Sequence, residues 1–138
     1  MRVFLDANVI FTAAHNPGGK AAFVIELGAA GHFLLFTSDA ALMEAERNVT
    51  AKHPDSLPLL AAMMRGITLF TADLSAPFPD GLPTKDAIIF QAAVSCRATH
   101  FLTGDLRHFG PFMNRPDATF SIIVQTVAEF LTAIPQRP

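Results

Sequence analysis

The sequence has one cysteine, no tryptophan and no tyrosine among its 138 residues. The single cysteine, Cys96, excludes an internal disulfide and a zinc site built from several cysteines. Cys96 lies in an apolar helical pattern, so we expect it to be a small buried hydrophobic residue. No apolar stretch reaches membrane-spanning length, and no basic segment precedes a long apolar run. We therefore expect a cytoplasmic, reducing location and no membrane partner.

Charge is also scarce, since charged residues make up 16% of the chain and the net charge is −2. This balance excludes a protein that holds nucleic acid by a broad basic surface. It leaves room for a nuclease with an acidic metal centre and a small basic rim. Hydrophobic residues make up 51% of the chain and include 13 phenylalanines. We expect one compact domain, residues 1–138, with a core rich in Phe, Leu, Ile and Ala.

Apolar strand patterns alternate with helical patterns along the chain. Strands are predicted over 2–5, 32–36, 67–71, 100–103 and 120–124, and helices over 19–30, 39–52, 55–66, 84–98 and 126–134. Ser38 or Asp39, Thr84 and Thr126 are the predicted helix caps. The pattern predicts an α/β fold with a mostly parallel sheet of about five strands and helices on both faces. The carboxyl ends of the strands then share one edge, where such folds bind ligands.

Four acidic residues are placed to meet at that edge. Asp6 and Asp105 each follow an apolar strand, Asp86 begins a helix, and Glu44 lies one to two turns into another helix. Glu46 points about 200° away from Glu44 around the helix, so it is predicted to be solvated. Converging carboxylates repel one another, and Mg²⁺ or Mn²⁺ relieves the repulsion. The acids therefore favour phosphoryl chemistry, although a single Asp at a strand end is more often a cap or a turn former.

The chain resembles the PIN domain, and more narrowly the PIN-type toxins of bacterial toxin–antitoxin systems. The segments that carry the resemblance are FLDANVI, TSDAALMEAERNV, PTKDAIIFQAAVSCRATHFLTGDLRHF and FSIIVQTVAEFL. Together they cover about residues 2 to 131. A lone LD-x-N motif would be weak evidence for this family. The ordered set of segments that includes LTGDLRHF is specific evidence for it.

The resemblance implies a Mg²⁺- or Mn²⁺-dependent endoribonuclease. It places the catalytic, metal-binding acids at Asp6, Glu44, Asp86 and Asp105. It also implies that Asn8 and Thr103 orient the ligands, and that Ser38 either caps its helix or reaches the site. It further implies an RNA substrate, a protein antitoxin and a homodimer.

The sequence departs from the pattern where some PIN domains carry a further acid after the fourth. Leu106, Arg107 and His108 stand there, which puts tight binding of a second metal in doubt. Arg107, His108 and Lys85 are predicted either to meet substrate phosphates or to offset the acidic cluster, with His108 capping a turn. His15 has a weaker case for substrate contact.

Two other functions fit parts of the pattern. A PIN-like module that binds RNA or protein without cleavage needs no intact set of four acids. A phosphoacceptor domain with Asp6 as nucleophile needs a second Asp two residues later, where this chain has Asn8. The acids therefore favour the ribonuclease over both.

Overall fold

A computed structural model describes residues 1–134 as an α/β fold around a single parallel sheet. The strands are β1 (Arg2–Leu5), β2 (Leu34–Ser38), β3 (Thr68–Phe70), β4 (His100–Leu102) and β5 (Ile123–Gln125). Their order across the sheet is β3-β2-β1-β4-β5, and every neighbouring pair is parallel. The predicted fold class is therefore confirmed, and the last four residues of the predicted domain, 135–138, lie outside the described residues.

Seven α-helices pack around this sheet in the described part of the chain. They are α1 (Ala7–His15), α2 (Lys20–Ala29), α3 (Asp39–Lys52), α4 (Leu57–Met63), α5 (Thr84–Ser95), α6 (Leu106–Phe109) and α7 (Val127–Ala133). Short 3₁₀ turns over Pro54–Ser56 and Met64–Gly66 flank α4, and a third follows α6 over Gly110–Phe112. Within residues 1–134, no helix has the length and apolarity needed to cross a membrane.

The sheet is buried on both faces, as alternate residues of β1 show. Val3 and Leu5 pack into a cluster with residues of α1, α2 and α7. Phe4 faces the other way, into a cluster with residues of α5 and β4. Its ring stacks on Phe101 with centroids 5.4 Å apart, and neither residue is accessible to solvent. Burial on both faces explains why residues 3–5 of β1 are all apolar in sequence.

Several predicted boundaries differ from the structure. The predicted strand over 120–124 starts too early, because Phe120 and Ser121 have φ angles of 56° and 70° and form a turn. The predicted strand over 32–36 lies two residues too early, since β2 spans Leu34–Ser38. Thr84 is the first residue of α5, and Pro83 occupies the N-cap position. Ser38 and Thr126 are caps as predicted, each accepting a backbone N–H bond.

The order of the strands reverses between β1 and β4. The chain builds β2 and β3 on one side of β1, and β4 and β5 on the other. The connections after β1 and β4 therefore leave on opposite faces of the sheet, and parallel α/β sheets form their binding crevices at such a point. Asp6 follows β1 directly, and Asp105 lies three residues after the end of β4.

Candidate active site at the sheet edge

The two acids at the ends of the central strands are also helix caps. Asp6 caps α1 by accepting the backbone N–H of Ala7 at 2.8 Å. Asp105 caps α6 by accepting the backbone N–H of His108 at 3.1 Å. Capping holds one oxygen of each carboxylate on the helix and leaves the other to side-chain partners. The cap interpretation and the site interpretation of these residues are therefore compatible.

All four predicted acids line one cavity of about 340 Å³ at this edge. Its lining consists of Asp6, Asn8, Phe11, Glu44, Asn48, Lys52, Lys85, Asp86, Asp105 and His108. We call this cavity the acidic cleft. Its acids come from the ends of β1 and β4 and from two helices, α3 and α5. Tertiary folding alone brings these side chains together, since no two of the four lie close in sequence.

A buried hydrogen-bond network holds the Asp6 carboxylate in place. Its Oδ2 accepts the Thr103 hydroxyl at 2.8 Å and the Asn8 side-chain amide at 3.0 Å. Thr103 Oγ1 in turn accepts the Asn8 amide at 3.2 Å and the backbone N–H of Asp105 at 3.0 Å. The Asn8 carbonyl oxygen accepts the backbone N–H of Gly104 at 2.6 Å. Thr103 and Asn8 thus connect the two strand-end acids.

A second group joins Asp105 to Asp86 through His108. The Nδ1 atom of His108 lies 2.7 Å from Asp105 Oδ2 and 3.2 Å from Asp86 Oδ2. One donor atom from each of the three residues lies within 4.8 Å of the others, close enough to share a metal ion. His108 therefore does more than cap a turn, because its ring lies between two carboxylates of the cleft.

Lys85 forms an ion pair with Glu44 at the rim of the acidic cleft. The Lys85 side chain is 63% exposed, whereas that of Glu44 is 17% exposed. Lys85 therefore offsets the charge of one of the acids, because α3 and α5 approach each other at this point. The hydrogen bond to Glu44 raises the pKa of Lys85, so its ammonium stays charged.

Burial raises the pKa values of the two least exposed acids, Asp6 and Asp86. Desolvation raises the pKa of Asp6 from 3.8 to about 6, with the charges of Asp86 and Glu44 adding to the rise. The hydrogen bonds from Thr103 and Ala7 oppose it. Desolvation also raises the pKa of Asp86, helped by the charges of Asp105 and Glu44 and opposed by His108. The cleft therefore concentrates negative charge that solvent compensates poorly.

Solved structures with the same fold come from VapBC complexes. The chain aligns with a chain of VapBC2 from Rickettsia felis, bound to a DNA fragment from the promoter, with a TM-score of 0.63 and 14% identity. The alignment covers 91% of this chain and 98% of that chain. A chain of VapBC-1 from nontypeable Haemophilus influenzae aligns with a TM-score of 0.58 and 13% identity, covering 93% and 99%. This chain has a PIN-like fold. No protein-family model matches the sequence, and no curated protein matches it either.

The donor atoms of this site suit a hard divalent cation. Each carboxylate oxygen has two lone-pair directions, and Asp6 Oδ1 uses one of them for the Ala7 N–H. Asp6 therefore retains an acceptor position, although its Oδ2 is occupied by Thr103 and Asn8. Asp86 and Asp105 add two more carboxylates nearby. Such oxygen-rich sets are typical of Mg²⁺ and Mn²⁺ sites.

Three predicted site residues lie outside the lining of the acidic cleft. Ser38 is buried and its Oγ accepts the backbone N–H of Ala41 at 3.1 Å, so it caps α3. Thr103 is buried beneath the cleft and acts through its hydrogen bonds. Arg107 is exposed on α6. Glu46 is exposed as expected, on a different side of α3 from Glu44.

The sequence patterns did not identify three residues that line the cleft. Phe11 lies on α1, which was not predicted, and Asn48 and Lys52 lie on α3 beyond Glu44. Asn48 and Lys52 follow Glu44 by four and eight residues, so helical spacing places all three on one side of α3. That spacing is the signal in the sequence from which both residues were predictable.

Proposed function

We propose that this protein is a Mg²⁺- or Mn²⁺-dependent endoribonuclease and the toxin of a toxin–antitoxin pair. One observation carries the proposal: four carboxylates from four separate segments line a single cleft at the point where the strand order reverses. Burial raises the pKa of Asp6 to about 6, and the nearby charges of Asp86 and Glu44 add to the rise. A site of this kind gains stability from a divalent cation.

The proposed roles follow from the position of each side chain. Asp6, Asp86 and Asp105 hold the cation, and Glu44 binds it directly or through water. When bound, the cation activates water and neutralises charge on the reacting phosphodiester. Thr103 and Asn8 keep Asp6 Oδ2 in a fixed orientation, and His108 does the same for Asp105.

Basic groups at the rim of the acidic cleft are proposed to receive the RNA backbone. Lys85 and Lys52 line the cleft on its open side and are exposed to solvent. Arg107 lies on the surface beside His108 on α6. These few charges are enough to position phosphates without a broad basic surface.

The partner assignment rests on the fold. VapBC2 and VapBC-1, which share it, are two-component assemblies. By the same resemblance, this protein binds an antitoxin that covers the acidic cleft. It also forms a homodimer. The cytoplasm, where RNA is available, is the corresponding location.

Thermal melting with and without Mn²⁺ tests the metal site first. A ligand that binds only the native state raises the melting temperature by mass action. We expect a rise in the wild type that disappears in Asp105→Asn. Asp117→Asn is the matched control, because Asp117 is exposed, pairs with Arg115 and does not line the acidic cleft. It should retain the full rise.

Cleavage of RNA under the same conditions tests the activity. The wild type and Asp117→Asn should cut RNA in Mg²⁺ or Mn²⁺, and Asp6→Asn and Asp105→Asn should not. Normal cleavage by either of the last two variants would contradict the assignment. A folded wild type that binds Mn²⁺ and RNA but leaves RNA intact would instead identify a binding module.

A further inference from the structure

The ring of His108 faces the acidic cleft together with Asp86 and Asp105. Its Nδ1 atom lies 2.7 Å from Asp105 Oδ2 and 3.2 Å from Asp86 Oδ2. One donor atom from each of the three residues lies within 4.8 Å of the other two. Within residues 1–134, no other group of three His, Cys, Asp or Glu side chains comes as close. The group therefore offers a nitrogen donor beside two carboxylates.

The spacing of these atoms matches that of neighbouring ligands on one metal ion. Two adjacent donors of an octahedral ion with bonds of about 2.1 Å lie roughly 3 Å apart. The two distances from His108 Nδ1, 2.7 Å and 3.2 Å, lie on either side of that value. The three side chains can therefore share a cation without a change in the backbone.

A hydrogen bond from the ring accounts for only one of the two contacts. Nδ1 carries at most one proton, and that proton points well at only one carboxylate oxygen. With the proton on Nε2 instead, the lone pair of Nδ1 faces the carboxylates. The His108 side chain is 37% exposed, so water can accept the Nε2 proton. A cation then satisfies Nδ1, Asp86 and Asp105 at once.

We infer that His108 Nδ1 is a direct ligand of the cation, and that this nitrogen makes the acidic cleft select Mn²⁺ over Mg²⁺. This rests on the proposed function, in which either cation serves, and it adds a ligand and a choice of metal. Mg²⁺ is a hard cation that takes oxygen ligands. Carboxylates suit Mg²⁺ and Mn²⁺ alike, whereas imidazole suits transition metals. One imidazole with two carboxylates therefore favours the transition-metal ion.

Pulsed electron paramagnetic resonance of bound Mn²⁺ tests the ligand directly, without RNA and without turnover. The protein is prepared with ordinary histidine and with ¹⁵N-histidine, and an equimolar amount of Mn²⁺ is added to each. A ring nitrogen bound to Mn²⁺ modulates the spin echo, and the modulation changes with the nitrogen isotope. We expect this isotope effect in the wild type. Identical echoes from the two preparations would overturn the inference, because no histidine nitrogen would be bound to the ion.

Two variants assign the isotope effect to one histidine. His108→Asn keeps a polar side chain near the carboxylates and replaces the ring nitrogen with an amide, so Mn²⁺ should still bind and the isotope effect should disappear. His53→Asn is the matched control, because His53 is exposed and does not line the acidic cleft. It should retain the full isotope effect. An isotope effect that persists in His108→Asn would mean that another histidine binds the ion.

Competition between the two cations measures the selectivity. The signal of free Mn²⁺ gives the Kd of Mn²⁺, and its displacement by Mg²⁺ gives the Kd of Mg²⁺. The Kd of Mg²⁺ divided by that of Mn²⁺ should fall about tenfold in His108→Asn and stay unchanged in His53→Asn. A ring that only orients Asp105 would affect both cations alike. An unchanged ratio in His108→Asn would therefore overturn the inference.

The outcomes separate this inference from the proposed function. RNA cleavage by a wild type that binds Mn²⁺ without the isotope effect would overturn the inference and keep the nuclease. The isotope effect in a wild type that leaves RNA intact would keep the ligand and remove the nuclease. No binding of Mn²⁺ would overturn both. Melting curves verify that the variants fold, and the isotope comparison on the wild type requires no variant.

Discussion

The His108 ring is hydrogen-bonded to the carboxylate of Asp105, with 2.7 Å between Nδ1 and Oδ2. The backbone N–H of His108 also binds the other oxygen of the same carboxylate, at 3.1 Å. Both oxygens of Asp105 are therefore fixed by one residue that lies a single turn later. Since α6 has only four residues, these two bonds are the main local constraint on the direction of the Asp105 side chain.

Replacing His108 with alanine removes the ring contact and retains the backbone cap. We expect cleavage to fall by roughly 10- to 100-fold, because removing a group that orients a metal ligand has effects of this size. The fold should persist, since the N–H of residue 108 still binds Asp105. Activity and melting temperature should be measured together. A large loss of stability with unchanged activity in the surviving protein would show that the ring is structural only.

The Thr103 hydroxyl connects Asp6, Asn8 and Asp105 and is completely buried. Thr103→Val keeps the shape but removes the acceptor of the Asp105 N–H and one hydrogen bond to the buried Asp6 carboxylate. We therefore expect a loss of about 1–3 kcal/mol in the free energy of unfolding. Mn²⁺ should also raise the melting temperature less than in the wild type.

Thr37→Val is the control for this variant, because Thr37 is equally buried and donates only to the carbonyl of Leu5. It should lower stability and leave the response to Mn²⁺ intact. Equal Mn²⁺ responses in the two variants would remove Thr103 from the site.

The stability of the metal-free protein should fall as pH rises through the pKa of Asp6. Burial raises that pKa from 3.8 to about 6, so the native state binds a proton more tightly than the unfolded state. This contribution is complete below about pH 4 and lost above about pH 6. At neutral pH the loss is on the order of 3 kcal/mol. The raised pKa of Asp86 acts in the same direction.

Urea unfolding at several pH values, with a chelator present, measures this contribution. Other carboxylates also titrate in the range, so the wild type is compared with Asp6→Asn, in which residue 6 cannot ionise. The wild type should lose more stability between about pH 4 and about pH 7 than the variant does. Parallel pH profiles for the two proteins would show that Asp6 is not destabilised by burial.

The sheet was predictable because each strand is a short apolar run separated by turn signals. The helices α1 and α6 were not predicted. In α1, Val9, Ile10 and Phe11 continue the apolar run of β1, and their β-branched and aromatic side chains read as strand. Capping by Asp6 and burial of Val9, Ile10, Ala13 and Ala14 at helical spacing decide the structure. A four-residue helix such as α6 is too short to show a period.

The convergence of the acids was predictable, and the exact pairing of each acid with a basic side chain was not. Strand ends and one helix start locate Asp6, Asp105 and Asp86 through the geometry of a parallel sheet. The pairing of Lys85 with Glu44 depends on how closely α3 and α5 approach, which no local pattern encodes. Phe11 lines the cleft only because α1 exists, so the missed helix also concealed this lining residue.

The ion pair between Lys85 and Glu44 leads to a last prediction. Lys85→Met removes one positive charge and releases the Glu44 carboxylate into the acidic cleft. We expect Mn²⁺ to bind more tightly, since a repelling charge is gone and a ligand is freed. If Lys85 also contacts a substrate phosphate, KM for RNA should rise. The slope of log KM against log salt concentration should then fall by about one, because one fewer counterion is released.

Titrations of Mn²⁺ and cleavage rates over a range of salt concentrations separate these two effects. Lys20→Met is the control, because Lys20 is exposed on α2 and lies outside the acidic cleft. It should change neither quantity. Tighter Mn²⁺ binding with an unchanged salt dependence would mean that Lys85 only offsets the acidic charges. An unchanged affinity for Mn²⁺ would mean that Glu44 is too far from the cation to bind it, which would reduce the proposed ligands to Asp6, Asp86 and Asp105.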